Sequence, residues 1–312
     1  MKAKQSIRNF TDLPTTPGRH DLILRVGAGK TRRDLNVWYQ RGAEAGPCMA
    51  ITSMVHGDEF EGFAATQMIW KKLRGRRVQG SVLIIPICNP WAAEAATRTT
   101  PSPMDGGNLA RSFPGSLRGK PTQRLARQLW DLIRGADALL DFHSGGTGYD
   151  YADLAGFYRK EDSPLAACFP IKYIWKIPVN RGVLSHEFSR LGKPAIGCEY
   201  SGEARLNPKG ARAYASGALA MMTRLGLLQG SRSPRRSMTR LNVTRIQFAQ
   251  ESGWFFTHLK IGDRIRKGDS IGTWTTSQLR SREMRSQFAG TVIGLRTLPR
   301  VPSGEGLLIV SR

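Results

Sequence analysis

Acidic residues are in short supply. There are 24 Asp and Glu against 47 Lys and Arg in 312 residues, a formal net charge of +23 at pH 7. An excess of this size draws anions such as nucleic acid, acidic lipid or an acidic small molecule. The basic residues are nevertheless spread widely, and their clearest cluster is SRSPRRSMTR at 231–240. No stretch interleaves them with aromatics as a base-stacking platform does. Nucleic acid therefore ranks as a minor hypothesis beside an ordinary soluble surface of basic bias. Cysteine is also sparse: four residues, Cys48, Cys88, Cys168 and Cys198, with no CxxC pair. That spacing excludes a disulfide framework and a zinc ribbon. Cys48, Cys88 and Cys198 lie in or beside apolar runs, where a thiol behaves as a small buried hydrophobe. Reduced thiols in a cytoplasmic protein are expected. No apolar run approaches the ~18–20 residues that span a bilayer, and MKAKQSIRNFTDLP has no apolar segment of the kind that marks a secretion signal. A membrane is not an expected partner.

What is present reads as a folded chain. With 40% hydrophobic and 23% charged residues, wholesale disorder is excluded, and the length suits one large core or two unequal domains. DLILRVGAG and DLNVWYQRG read as two strands of a hairpin. GAGKT lies between them, but it lacks the spacing of a phosphate loop and is a turn. Cys48 to Val55, SVLIIPICNP, DALLDFHSGG and KPAIGCEYSG are short apolar runs ending in turns, the pattern of buried strands. After HGDE, the positions Phe63, Met68, Ile69 and Leu73 suit one face of a helix, and PTQRLARQLWDLIRG predicts a second, with Pro121 near its start and Gly135 past its end.

Buried strands alternating with helices predict an α/β fold, with a mostly parallel or mixed sheet flanked by helices. Beyond about residue 241 the chain becomes strand-like pieces between Gly and Asp turns, which predicts a small C-terminal all-β, barrel-like module. Its KIGDRIRKGDSIG resembles the hairpin of biotinyl/lipoyl-type barrels but lacks the modification lysine. The expected organisation is a catalytic unit at 1–230, a basic linker at 231–240 and a β-rich module at 241–312.

In sheets of this kind ligands bind at the carboxyl ends of the strands. His56 and Glu59 follow one predicted strand, His143 another, and Glu199 ends a fourth. An imidazole, a carboxylate three residues on and a distant second imidazole make a catalytic zinc set with an open fourth position. Each motif taken singly is as well read as a surface pair or a hydrogen-bonded core histidine. Their joint placement at strand ends of one sheet favours a metal site. His20, His186 and His258 have no motif around them.

HGDEFEG (56–62), ICNPWAAEAATR (87–98), DGGNLARSFPG (105–115), DFHSGG (141–146) and KPAIGCEYSG (193–202) resemble, in order, the succinylglutamate desuccinylase/aspartoacylase family, which groups with the zinc carboxypeptidases. The HSGG and the β-rich tail point to the branch near N-acetyl-diaminobutyrate deacetylases. The resemblance implies one Zn2+ per chain on His56, Glu59 and His143, and Glu199 as general base. It implies Arg98 at the scissile carbonyl, Arg111 and Asn108 at the substrate, and Asp58 and Asp141 as supporting groups. It departs from the family at Ala110, where Asn-Leu-Asn-Arg is usual, so the amide that helps grip a substrate carboxylate is missing.

The expected activity is zinc-dependent hydrolysis of the amide bond in a small N-acylated amino acid or amine, and the basic charge leaves room for an anionic small-molecule substrate. Two other readings stand beside it: a zinc carboxypeptidase acting on short peptides, and a non-catalytic polyanion binder on a vestigial metallohydrolase fold. A homo-oligomer is left open.

Overall fold

A computed structural model describes residues 4–230 and 238–312. Strands β1 (Gln5–Ile7), β2 (Gly18–Val26), β3 (Arg33–Arg41), β4 (Glu44–Thr52), β5 (Gln79–Ile85), β6 (Ala138–Phe142), β7 (Tyr149–Tyr151), β8 (Leu154–Phe157), β9 (Tyr173–Lys176), β10 (Ala195–Glu199) and β11 (Thr239–Leu241) carry the first part of the fold. Between them run α1 (Glu61–Lys72), α2 (Pro90–Ala95), α3 (Pro121–Ile133), α4 (Ser163–Ala166), α5 (Leu184–Ser189) and α6 (Pro208–Arg224). All the strands but β7 join one ten-stranded sheet, in the order β1-β2-β3-β5-β4-β6-β10-β8-β9-β11. Its centre, β5-β4-β6-β10, is parallel throughout, while β2-β3, β3-β5 and β10-β8 pair antiparallel. The sheet is mixed around a parallel heart.

The parallel strands read as unbroken apolar runs because both of their faces are covered. Side chains alternate between two cores with the strand period of two. Cys48, Ala50, Leu83, Ile85 and Leu139 pack on one face with Leu125, Leu129 and Ile133 of α3. Met49, Ile51, Val82, Ile84, Leu140 and Ile196 pack on the other with Ala65 and Ile69 of α1 and Tyr214 and Ala218 of α6. Asp105 fastens the start of α3, where backbone N–H groups have no helical partner: its carboxylate accepts from Thr122 N at 2.7 Å, Thr122 Oγ1 at 2.6 Å and Gly107 N at 3.0 Å.

The remaining strands are β12 (Thr244–Phe248), β13 (Gly253–Thr257), β14 (Arg264–Ile265), β15 (Ser270–Thr276), β16 (Ser281–Arg285), β17 (Gly290–Arg296), β18 (Arg300–Val301) and β19 (Gly306–Ser311). They form two antiparallel sheets, β12-β19-β17-β14 and β16-β15-β13-β18, closed over Phe255, Ile271, Trp274 and Leu308. The β-rich tail is present as expected. Of the expected linker, residues 231–237 lie outside the described residues, and Thr239 and Arg240 belong to β11, paired parallel with β9. The first part also lends a strand to the tail, since β7 pairs antiparallel with β17. A further apolar cluster of Leu154, Tyr173, Trp175, Leu241, Ile293 and Ile309 fills the junction. Among the described residues no helix is long and apolar enough to cross a membrane.

Candidate active site

The carboxyl ends of the four parallel strands bring the predicted residues together. His56 leaves the end of β4 through a tight turn, with Met54 in the left-handed region at φ 49°, a conformation that non-glycine residues adopt only when the surroundings impose it. Glycine is obligatory at position 57 for a different reason. A Cβ there would stand 2.0 Å from the Ala92 carbonyl carbon, and Gly57 N donates to Thr97 O at 2.9 Å. This close approach fixes the His56 turn against α2 and the segment carrying Arg98.

His143 follows β6, its backbone N–H donating to Cys198 O of β10 at 2.9 Å. Its carbonyl accepts from Tyr214 Oη of α6 at 2.7 Å. The glycine-rich loop after it is stitched to the loop after Glu199: Gly145 N donates to Ser201 O at 2.8 Å and Ala204 N to Gly146 O at 2.7 Å. Asp58 sits under this loop, accepting from Thr147 N at 2.7 Å. Its role is to hold the loop in place.

At the centre, one ligand atom each from His56, Glu59 and His143 lies within 4.8 Å of the other two, and all three residues are buried. His56 Nδ1 is 2.6 Å from Glu59 Oε1, and His143 Nδ1 is 3.0 Å from Glu59 Oε2. The outer ring nitrogens are taken as well. His56 Nε2 stands 3.2 Å from Asn108 Oδ1, which is itself fixed as an acceptor by the Ala110 N–H at 2.9 Å. His143 Nε2 stands 3.2 Å from Asp141 Oδ2, and Thr52 Oγ1 donates to Asp141 Oδ1 at 2.7 Å.

A neutral imidazole has one proton, yet each ring here faces an oxygen acceptor at both nitrogens. The centre is short of positive charge. A cation among the inward atoms would remove the conflict, with both Nε2 protons directed outward to Asn108 and Asp141. Outward bonds of this kind are what orient histidine ligands, so the donor set fits a metal ion of zinc's ligand preference.

The electrostatics agree. Burial and the nearby Arg98 lower the pKa of His56 against the pull of Glu59. Burial also opposes the charging of His143, but Asp141 and Glu59 outweigh it and hold that pKa well above the histidine range. For Glu59, burial is overcome by His56 and His143, which keep its carboxyl below the usual range. Arg98 adds a hydrogen bond to Glu59 Oε1 at 3.2 Å.

Beside the centre opens a cavity of about 240 Å³, and His56, Arg98, Arg111, His143 and Glu199 all reach its wall. Glu199 Oε2 is sealed from solvent with no hydrogen-bond partner among the described residues. Burial pushes its carboxyl up to about 8, with Glu59 and Asp141 adding to the shift and His143 and Arg98 opposing it. Asn108, expected at the substrate, is not on this wall; its oxygen is committed to His56 and to the Ala110 amide. The sequence reading missed Tyr151, Tyr158, Trp175 and Ile177, which line the cavity, and Ile246 and Ile309, which the C-terminal sheets contribute to it. The one local signal for them was the aromatic-aliphatic run YIWKIPV at 173–179.

Comparison with known proteins accords with this geometry. The chain is similar to an N-alpha-acetyl-L-2,4-diaminobutyric acid deacetylase of Halomonas elongata, with 28% identity over 283 residues, covering 85% of this chain and 82% of the relative. Its fold matches that of a succinylglutamate desuccinylase/aspartoacylase from Rhodobacter sphaeroides at TM-score 0.84 and 24% identity, covering 98% of this chain and 99% of the other. The product-bound ectoine utilization protein EutE (DoeB) from Ruegeria pomeroyi matches at TM-score 0.84 and 23% identity, with 96% and 97% covered. Residues 45–225, which carry every side chain of the buried centre and Glu199, match the succinylglutamate desuccinylase/aspartoacylase catalytic domain, and the chain belongs to that family.

Proposed function

We propose that the protein is a zinc-dependent amidohydrolase that removes an acyl group from the amine of a small N-acylated amino acid. The observation that carries this reading is the buried His56–Glu59–His143 centre, whose acceptors outnumber its protons, opening on a cavity that also holds Glu199, whose Oε2 has no partner among the described residues. His56, Glu59 and His143 would hold the ion, with Asn108 and Asp141 orienting the two imidazoles. Zinc there supplies Lewis acidity and a water acidified to a pKa of about 7.

The chain's own residues do the rest. Glu199 takes the proton of the attacking water and returns it to the departing amine. Glu199 would be held in the basic form this needs once a cation is bound beside it, since a nearby opposite charge favours ionisation. Arg98, held at the cavity wall by Glu59, directs its guanidinium at the oxygen that becomes negative as the carbonyl is attacked. Arg111 offers a charged donor set to a substrate carboxylate.

In this reading residues 1–230 are the catalytic unit, and the module at 241–312 completes the cavity wall through Ile246 and Ile309. The unpaired cysteines suit a reducing compartment, which supports a cytoplasmic location. The name of the Halomonas elongata relative supports deacylation over peptide cleavage. The test is amine release from a panel of N-acetyl and N-succinyl amino acids by the purified protein, with and without chelator. Release that stops with chelator and returns with zinc is expected; turnover that chelator leaves untouched would overturn the proposal.

A further inference from the structure

We infer that the cavity selects a substrate with one carboxylate and an uncharged apolar group, and that it rejects a substrate bearing a free amine. The inference rests on the deacylase reading and narrows it. Two observations carry it, one of charge and one of shape.

The charge observation is the imbalance on the cavity wall. Arg98 and Arg111 both reach it, and among the described residues Glu199 is the only carboxylate on it. Arg98 is already bonded to Glu59. Arg111 has no carboxylate within 4.0 Å among the described residues, and its Nη1 donates only to the carbonyl of Ala110 at 2.9 Å. One guanidinium is therefore available for an anion. A cationic amine would meet the two arginines, and its only counter-charge would be the group that the chemistry needs as a base. Desolvating an ammonium without a carboxylate partner is strongly unfavourable.

The shape observation is the remainder of the wall. Trp175, Ile177, Val179 and Val183 give its apolar part from β9 and the segment after it, with Ile246 and Ile309 from β12 and β19, beside the neutral polar side chains of Tyr151, Tyr158, Asn180 and Ser185. Ala110 adds a methyl group to it. None of these residues carries a negative charge to pair with an ammonium, and the apolar ones gain from covering a hydrocarbon group. The relative from Halomonas elongata is named for a substrate with an amine on its side chain. By this argument the two proteins share a reaction class and differ in the group they select.

The apolar group could belong to the amine half or to the acyl half of the substrate, and non-hydrolysable sulfonamides separate these sources without turnover. Binding of N-methanesulfonyl derivatives of L-norvaline, L-2,4-diaminobutyrate and L-aspartate, and of N-butanesulfonyl-glycine, would be measured by titration calorimetry on the zinc-loaded protein. Either the norvaline or the butanesulfonyl compound should bind at least about tenfold more tightly than the diaminobutyrate and aspartate compounds. The tighter of the two identifies the half that faces the wall. Equal or tighter binding of the diaminobutyrate compound overturns the inference, as does the absence of binding by all four. Ile246→Asp, at a half-buried position of the wall, should shift the preference toward the diaminobutyrate compound by about tenfold or more. If that variant fails to fold, the comparison on the native protein decides alone. Turnover of N-acetyl-norvaline is scored separately: apolar preference without turnover would sink the deacylase reading and leave the selectivity standing.

Discussion

Replacing Glu199 with Gln removes the proposed proton carrier while preserving its shape. The side chain makes no hydrogen bond to another described residue, and its Oε2 is sealed without a partner, so the substitution breaks no native contact. Burial holds the wild-type carboxyl up to about 8 in the metal-free protein. A carboxyl whose pKa is raised on folding loses stability as pH climbs from the ordinary carboxylate range toward that raised value. A neutral Gln escapes this penalty, so near pH 8 the metal-free variant should melt no lower than the wild type. Activity should behave differently. Loss of a positioned general base lowers the rate ~10²–10⁴-fold, about 3–5 kcal/mol in the barrier. Turnover on the best N-acyl substrate, zinc content and melting temperature would be measured on one preparation. A folded, zinc-loaded variant that keeps more than about a tenth of wild-type turnover would refute the assignment.

Asp141 offers a test of the outer ring of the centre. Asp141→Asn should weaken zinc binding ~10–100-fold, read by competition with a chromophoric chelator, because His143 Nε2 would lose its carboxylate partner; unchanged affinity would contradict that role. Asp105→Ala should cost about 1–3 kcal/mol in denaturant unfolding, since the half-buried start of α3 loses two bonds from Thr122 to Asp105 and Gly107 N loses a third. A thiol reagent should label Cys168 alone in the native state, because Cys48, Cys88 and Cys198 are buried and burial pushes their thiols up, Cys48 to about 11. Rapid labelling of all four without denaturant would contradict the described packing.

The parallel heart of the fold was legible because β4, β5, β6 and β10 are short apolar runs whose two-sided burial leaves an unmistakable composition. His56, Glu59 and His143 were legible because strand ends are where such sheets collect polar groups. Helix α6 was not, because it packs through small residues: Gly210, Ala211, Ala215 and Ala218 give no strong apolar period. Gly217 shows why they are small, since a Cβ there would meet the Phe169 ring at 2.1 Å. Strands β7 to β9 are three or four residues long, too short for a clear alternation. The cavity wall was beyond local reading, since Trp175, Ile246 and Ile309 meet only through pairing between distant segments. For Asn108 the resemblance implied a substrate contact, and the fold adds what no local pattern shows, that its oxygen faces His56.

The central claim is that the buried centre holds the ion on which hydrolysis depends. Elemental analysis of the wild type and of His143→Ala, each prepared with excess zinc and then dialysed, tests it most directly, with amide hydrolysis measured on the same samples. A site with three protein ligands that loses one keeps too few donors to retain zinc tightly. The expected result is about one zinc per chain in the wild type, little in the variant, and hydrolysis only where zinc is present. Full zinc occupancy in a folded His143→Ala, or equal hydrolysis by the two proteins, would contradict the account.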